Sequence, residues 1–169
     1  MVRRVIIKRR NIVNELYFYK TFKNPIKAKV IYDEEEKSIS TKPIYMSNLT
    51  IMTGAAYIGL DLNLENMLIL SIWGFCPKQS WKKTLLKLPE NIEDGEIMLK
   101  TNRKLVSGVA IDLAKETQIY FCEDNNWICI GDKNIEEYDS SIRFMENAIM
   151  SLKDNKFKAL WINPKYEKV

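Results

Sequence analysis

The stretch Ala148-Ile-Met-Ser-Leu-Lys-Asp154-Asn155-Lys-Phe-Lys-Ala-Leu-Trp-Ile162 reads as two short strands joined by a two-residue turn. Asp and Asn tolerate the left-handed backbone that both central positions of a type I′ turn require, and that turn matches the twist of the strands it joins. Counting outward aligns Ala148, Met150 and Leu152 with Phe157, Ala159 and Trp161 on one face, so Trp161 is expected to be buried.

Two further stretches repeat the pattern. In Gln118–Gly131 a tight turn around Asp124-Asn125 pairs Phe121 with Ile128 and Ile119 with Ile130, and the other face collects Tyr120, Cys122, Trp127 and Cys129. In Tyr57–Trp73, Ile58, Leu60 and Leu62 alternate with polar or small residues, and Leu68, Leu70 and Ile72 answer them. Leu64-Glu65-Asn66 forms the turn, with Asn66 suited to the left-handed position. The 118–131 and 148–162 hairpins are expected side by side in one sheet, because consecutive strands usually neighbour each other.

Between these lie expected strands at 26–32, 38–46, 84–88, 96–100 and 105–114. Residues 11–22 fit a helical stripe behind Asn11, yet Leu16-Tyr-Phe-Tyr-Lys-Thr-Phe22 has strand composition, which favours a strand for the second half. A short helix is expected at Asn134–Ser140. Short connections imply an antiparallel meander. Several strands are apolar on both faces, Trp73 lying opposite Ile72 and Tyr120 opposite Phe121, so the sheet must be covered twice. The expected fold is mostly β: an antiparallel meander, barrel-like or sandwich-like, with one or two short helices, in a single β-rich domain over residues 1–169.

Composition narrows the function classes. With 46% hydrophobic and 28% charged residues, the chain of 169 residues can build a core without disulfides or metals. It has no histidine, which removes the commonest general base and metal ligand and any Ser-His-Asp or Cys-His arrangement. Its six glycines are scattered singly, so no phosphate-cradling or dinucleotide loop is present. Cys76, Cys122 and Cys129 lack clamp spacing and read as reduced core thiols, with no metal site. No cofactor is called for. The apolar run Val5-Ile6-Ile7 is too short for a leader, and no stretch is long enough for a membrane span, so the expected location is cytoplasmic. Abundant Lys, Ile and Asn fit an AT-rich bacterial or viral genome.

The net charge of +4 conceals segregation: residues 1–29 carry nine Lys or Arg against the single acid Glu15. The stretch Trp73-Gly-Phe-Cys-Pro-Lys-Gln-Ser-Trp-Lys-Lys83 interleaves aromatics with cations around a Gly/Pro break. Aromatic anchors with a charged rim suit a protein hot spot. Nucleic acid is less favoured, since no nucleic-acid motif accompanies them. The candidate partner-binding residues are Trp73, Phe75, Lys78, Trp81, Lys82 and Lys83, with Arg9 and Arg10 as rim. The expected function is a non-enzymatic cytosolic protein that binds another protein, a toxin-neutralising immunity-type role being its concrete form. One alternative is a β-barrel carrier whose lumen, lined by Tyr57, Trp73, Tyr120 and Trp127, takes an apolar or aromatic ligand. The other is a carboxylate-based hydrolase in which Asp61 and Asp112 converge.

Overall fold

The computed structural model describes residues 15–55, 57–113 and 117–168. The strands are β1 (Leu16–Lys20), β2 (Lys29–Asp33), β3 (Ser38–Lys42), β4 (Leu49–Met52), β5 (Tyr57–Leu62) and β6 (Ile69–Phe75). There follow β7 (Trp81–Lys83), β8 (Ile92–Asp94), β9 (Ile97–Thr101), β10 (Ile111–Asp112) and β11 (Ile119–Phe121). The last are β12 (Ile128–Gly131), β13 (Ser140–Met145), β14 (Ala148–Lys153), β15 (Lys156–Ile162) and β16 (Lys165–Glu167). The protein is mostly β, as its alternating pattern requires.

Two seven-stranded sheets dominate, in the orders β10-β4-β5-β6-β3-β2-β16 and β7-β11-β12-β15-β14-β13-β8, while β1 pairs with β9 separately. One continuous core joins the inner faces of both sheets, with Val30, Ile51, Leu60 and Ile72 from the first and Ile130, Phe144, Met150 and Leu160 from the second. The arrangement is sandwich-like, and neither sheet closes into a barrel. A smaller apolar cluster, built on Cys129, Ile149 and Trp161, lies on the outer face of the second sheet, where Leu86, Leu88 and Ile135 cover it.

The meander expectation needs correction. Hairpins β4-β5-β6 are flanked by β3, which returns beside β6; hairpins β13-β14-β15 are flanked by β12, which returns beside β15. Both are Greek-key orders. Four pairs are parallel, β4 with β10, β7 with β11, β8 with β13 and β2 with β16, so the sheets are mixed. Turn spacing reports only local antiparallel pairing. Parallel partners are separated by long connections that leave no spacing signal.

Several elements also differ from expectation. Residues 84–91 carry no strand, because Leu86 and Leu88 are used to cap the outer cluster. Of 105–113 only Ile111–Asp112 is strand, Val106 and Val109 are exposed, and Ala114 lies outside the described residues. Asn134–Ser140 is not a helix: 134–139 belong to the long connection of the second Greek key and Ser140 opens β13, and the one helical element among the described residues is a 3₁₀ turn at Lys78–Ser80. The second half of 11–22 is strand β1, and residues 11–14 lie outside the described residues.

The 118–131 hairpin has the expected register, Ile119 opposite Ile130 and Phe121 opposite Ile128, and β12 pairs with β15 as expected. In the 148–162 hairpin Asp154 and Asn155 adopt φ of 51° and 60°, as a type I′ turn demands. Its faces are not as counted. Leu152 pairs with Phe157 but Ser151 with Ala159, leaving Lys158 as a bulge. Met150 and Ala148 therefore face Leu160 and Ile162 in the main core, while Trp161 turns into the outer cluster. Trp161 is fully buried, but on the side opposite Phe157. Gly131 makes the bulge possible: at φ 115° a Cβ there would lie 2.4 Å from the Lys158 carbonyl oxygen.

Candidate functional site

Strands β5 and β6 build an aromatic platform by alternation. Ile58, Leu60, Leu62, Ile69 and Ile72 point into the core. Tyr57, Gly59 and Asp61 face outward opposite Phe75, Trp73 and Ser71. A bulge between Asp61 and Leu62 puts Ile69 rather than Leu70 into the core and leaves Leu68 and Leu70 half-buried. The left-handed residue of the turn is Met67, while the Asn66 side chain accepts the Leu68 N–H at 3.0 Å.

Trp73 lies across Gly59. A Cβ at Gly59 would be 3.2 Å from its ring and 2.8 Å from Thr50 Cγ2, so only glycine leaves the indole its seat. Asp61 holds the ring in place. Its Oδ1 accepts the Trp73 indole N–H and the Thr50 hydroxyl, each at 2.6 Å. Its Oδ2 accepts Ser47 at 3.3 Å and Ser71 at 3.5 Å. In the sequence Asp61 reads as a possible reacting carboxylate. In the fold it is the anchor of the platform. Trp73 remains 39% exposed, Phe75 47% and Tyr57 69%. A groove of about 480 Å³ runs beside Trp73, walled by Thr50, Met52 and the Gly108–Ala110 segment.

The remaining predicted residues lie elsewhere. Pro77 and the 3₁₀ turn carry the chain from one sheet to the other, which separates the two halves of the 73–83 stretch. Trp81 is buried, edge-on to Tyr32 at 5.3 Å between ring centres, and its indole N–H donates to Cys76 Sγ at 3.2 Å. The Lys78 ammonium is 2.6 Å from Glu34 and lies 5.5 and 4.9 Å from the ring centres of Tyr32 and Tyr166. Lys83 pairs with Glu123, and Lys82 is exposed on edge strand β7. Lysines on so short an edge strand discourage strand-to-strand association. Arg9 and Arg10 lie outside the described residues. Burial pushes the Tyr32 hydroxyl up to about 12 and the Cys76 thiol up to about 11, the latter partly offset by the Trp81 hydrogen bond. Both groups are neutral parts of the core at physiological pH.

Asp112 shares the outer face with Asp61, but β4 lies between their strands, with Asp112 level with Met52 and Gly59. Tyr57 and Trp73 lie on the outer face of the first sheet, whereas Tyr120 and Trp127 pack on the outer cluster of the second, so these four aromatics line no common lumen. Cys122 and Cys129 belong to that outer cluster, apart from Cys76. Among the described residues no three Cys, Asp or Glu side chains gather as metal ligands, and no helix is long and apolar enough to cross a membrane. A groove of about 610 Å³ is walled mainly by polar loop residues around 87–91 and 133–139. No protein-family model and no curated protein matches the chain.

Proposed function

We propose that the chain is a non-enzymatic cytoplasmic protein that binds another protein through the outer face of its first sheet. The observation that carries this reading is the contiguity of Tyr57, Trp73 and Phe75. Tyr57 is directly opposite Phe75 and Trp73 is two residues along the same strand, and all three are exposed on one hydrogen-bonded ladder. Large aromatics held in one orientation lose little entropy on binding and supply the area that dominates interface energetics. Of the aromatics expected at the interface, Trp73 and Phe75 are exposed, Trp73 being held by Asp61, while Trp81 is committed to the core. A toxin-neutralising protein is one concrete form of such a module, since an exposed aromatic face suits the covering of a partner's working surface.

The test immobilises the full chain and compares proteins retained from a native extract by the wild type, Trp73→Ala/Phe75→Ala and Leu85→Ala, the last an exposed apolar residue away from the platform. The reading expects a set of proteins retained by the wild type and Leu85→Ala but lost from the double variant. Identical sets from all three would refute it. With a purified partner, Trp73→Ala should raise the dissociation rate at least about 30-fold, the equivalent of a hot-spot residue.

A further inference from the structure

The charge around the platform differs from that of the chain as a whole. Among the described residues, the outward positions of β4, β5, β6 and β10 include Asp61 and Asp112 but no Lys or Arg. At the other end, Phe75 pairs with Ser38, the first residue of β3, and Cys76 N–H donates to the Lys37 carbonyl at 2.8 Å. This joins the acidic turn Asp33-Glu34-Glu35-Glu36 directly to the aromatic row. Asp33 shapes that turn by accepting the Glu35 and Glu36 N–H groups, both at 2.9 Å, which leaves the Glu35 and Glu36 side chains exposed and in no ion pair among the described residues. Glu34 is already neutralised by Lys78. Carboxylates therefore flank the aromatic row, Asp61 at its Trp73 end, Asp112 level with Trp73 on the far side of β4 and β5, and Glu35 and Glu36 beyond its Phe75 end. Of the nearby lysines, Lys78 and Lys42 are tied to Glu34 and Glu167, Lys82 and Lys83 stand on the second sheet, and the exposed Lys37 offsets one of the four acids of the turn, which stays net acidic.

We infer that the partner presents a basic segment, with arginine or lysine side chains laid across Trp73 and Phe75. This rests on the platform reading above and names the chemistry of what it binds. Aromatic faces attract cations through their quadrupole, arginine above all because its planar guanidinium stacks. Flanking carboxylates then take the adjacent cations of the same segment and raise the encounter rate. Phosphate groups would be repelled by the same carboxylates, so a nucleic acid does not fit this face. The sequence draws the opposite picture, aromatics with a basic rim, because the lysines following Phe75 are adjacent only along the chain.

The test measures binding of fluorescently labelled octa-arginine and octa-glutamate peptides to the full chain by anisotropy, at low and at physiological salt. It compares the wild type, Trp73→Ala/Phe75→Ala, Asp112→Asn/Glu35→Gln/Glu36→Gln, and Leu85→Ala. Octa-arginine should bind the wild type and Leu85→Ala, weaken at least 10-fold in each of the other variants, and weaken with salt in the wild type. The inference is overturned if octa-arginine binding is unchanged in the charge variant, or if the platform aromatics control octa-glutamate binding instead. If the charge variant still captures protein as the wild type does while the aromatic variant does not, the charge inference fails and the platform reading stands. If neither variant alters capture, both fail.

Discussion

Asn147 ties a turn of the second sheet to β2 of the first with a single side chain, and removing it should cost a large part of the stability of the fold. It sits in the turn between β13 and β14, against the backbone of β2. Its Oδ1 accepts the Val30 N–H at 2.7 Å, and its Nδ2 donates to the Val30 carbonyl at 2.9 Å and the Asn163 carbonyl at 2.8 Å. The carboxamide thus takes the place of a peptide unit on the edge of β2 that β16 covers further along. Val30 is fully buried, so no water replaces what Asn147 supplies. Asn147→Ala removes three hydrogen bonds and strands two buried backbone groups, each at about 1–3 kcal/mol, for an expected loss of about 3–5 kcal/mol. Against a typical total of about 5–15 kcal/mol this is a large fraction. Asn147→Asp should be worse at neutral pH, since a carboxylate oxygen then faces two carbonyl oxygens. That clash raises the folded-state pKa of the new carboxyl above its unfolded value of about 3.9, so the variant loses stability as pH rises through that range and recovers some in acid. Urea unfolding of both variants, with hydrogen exchange of the Val30 amide, measures this. A loss below about 1 kcal/mol for Asn147→Ala, or unchanged Val30 protection, would refute the seam.

Lys158 and Asp139 form an ion pair with both side chains almost wholly buried. Burial alone would raise the Asp139 pKa, but the Lys158 ammonium and the Glu136 N–H outweigh it and hold the carboxyl below its usual range. A depressed carboxyl stabilises the fold above its unfolded pKa and loses that contribution as pH falls through the folded value. Lys158→Met should therefore cost about 3–5 kcal/mol at pH 7 and progressively less below about pH 4, as followed by thermal melts across pH. Trp161→Ala should cost about 3–5 kcal/mol by cavity formation, whereas Trp161→Phe, which mainly loses the 3.0 Å bond to Ser151, should cost about 1–2 kcal/mol in the same urea assay. Gly59→Ala should unseat the Trp73 ring while the fold persists, red-shifting tryptophan emission and weakening partner binding; unchanged emission would mean the ring does not depend on that seat.

What the sequence determined by itself was everything set by neighbours along the chain. Period-two alternation makes the strands, and Asp154-Asn155 makes a type I′ turn whichever sheet receives it. The pairing of Ile119 with Ile130 follows from one short turn. Trp161 was legible as buried because it is large and apolar in a strongly patterned strand. Its face was not, because the Lys158 bulge depends on the backbone of Gly131 in a strand that reaches β15 only in the folded sheet. Tertiary structure alone decided the rest. The return of β3 to β6 brings Glu35 and Glu36 beside Phe75, the 3₁₀ turn at Lys78–Ser80 carries Trp81 and its lysines to the other sheet, and Asn147 reaches Val30 across 117 residues. Turn chemistry acts over a few residues, but strand order is chosen by which faces can share one core, and that choice settles which side chains stand together on the surface.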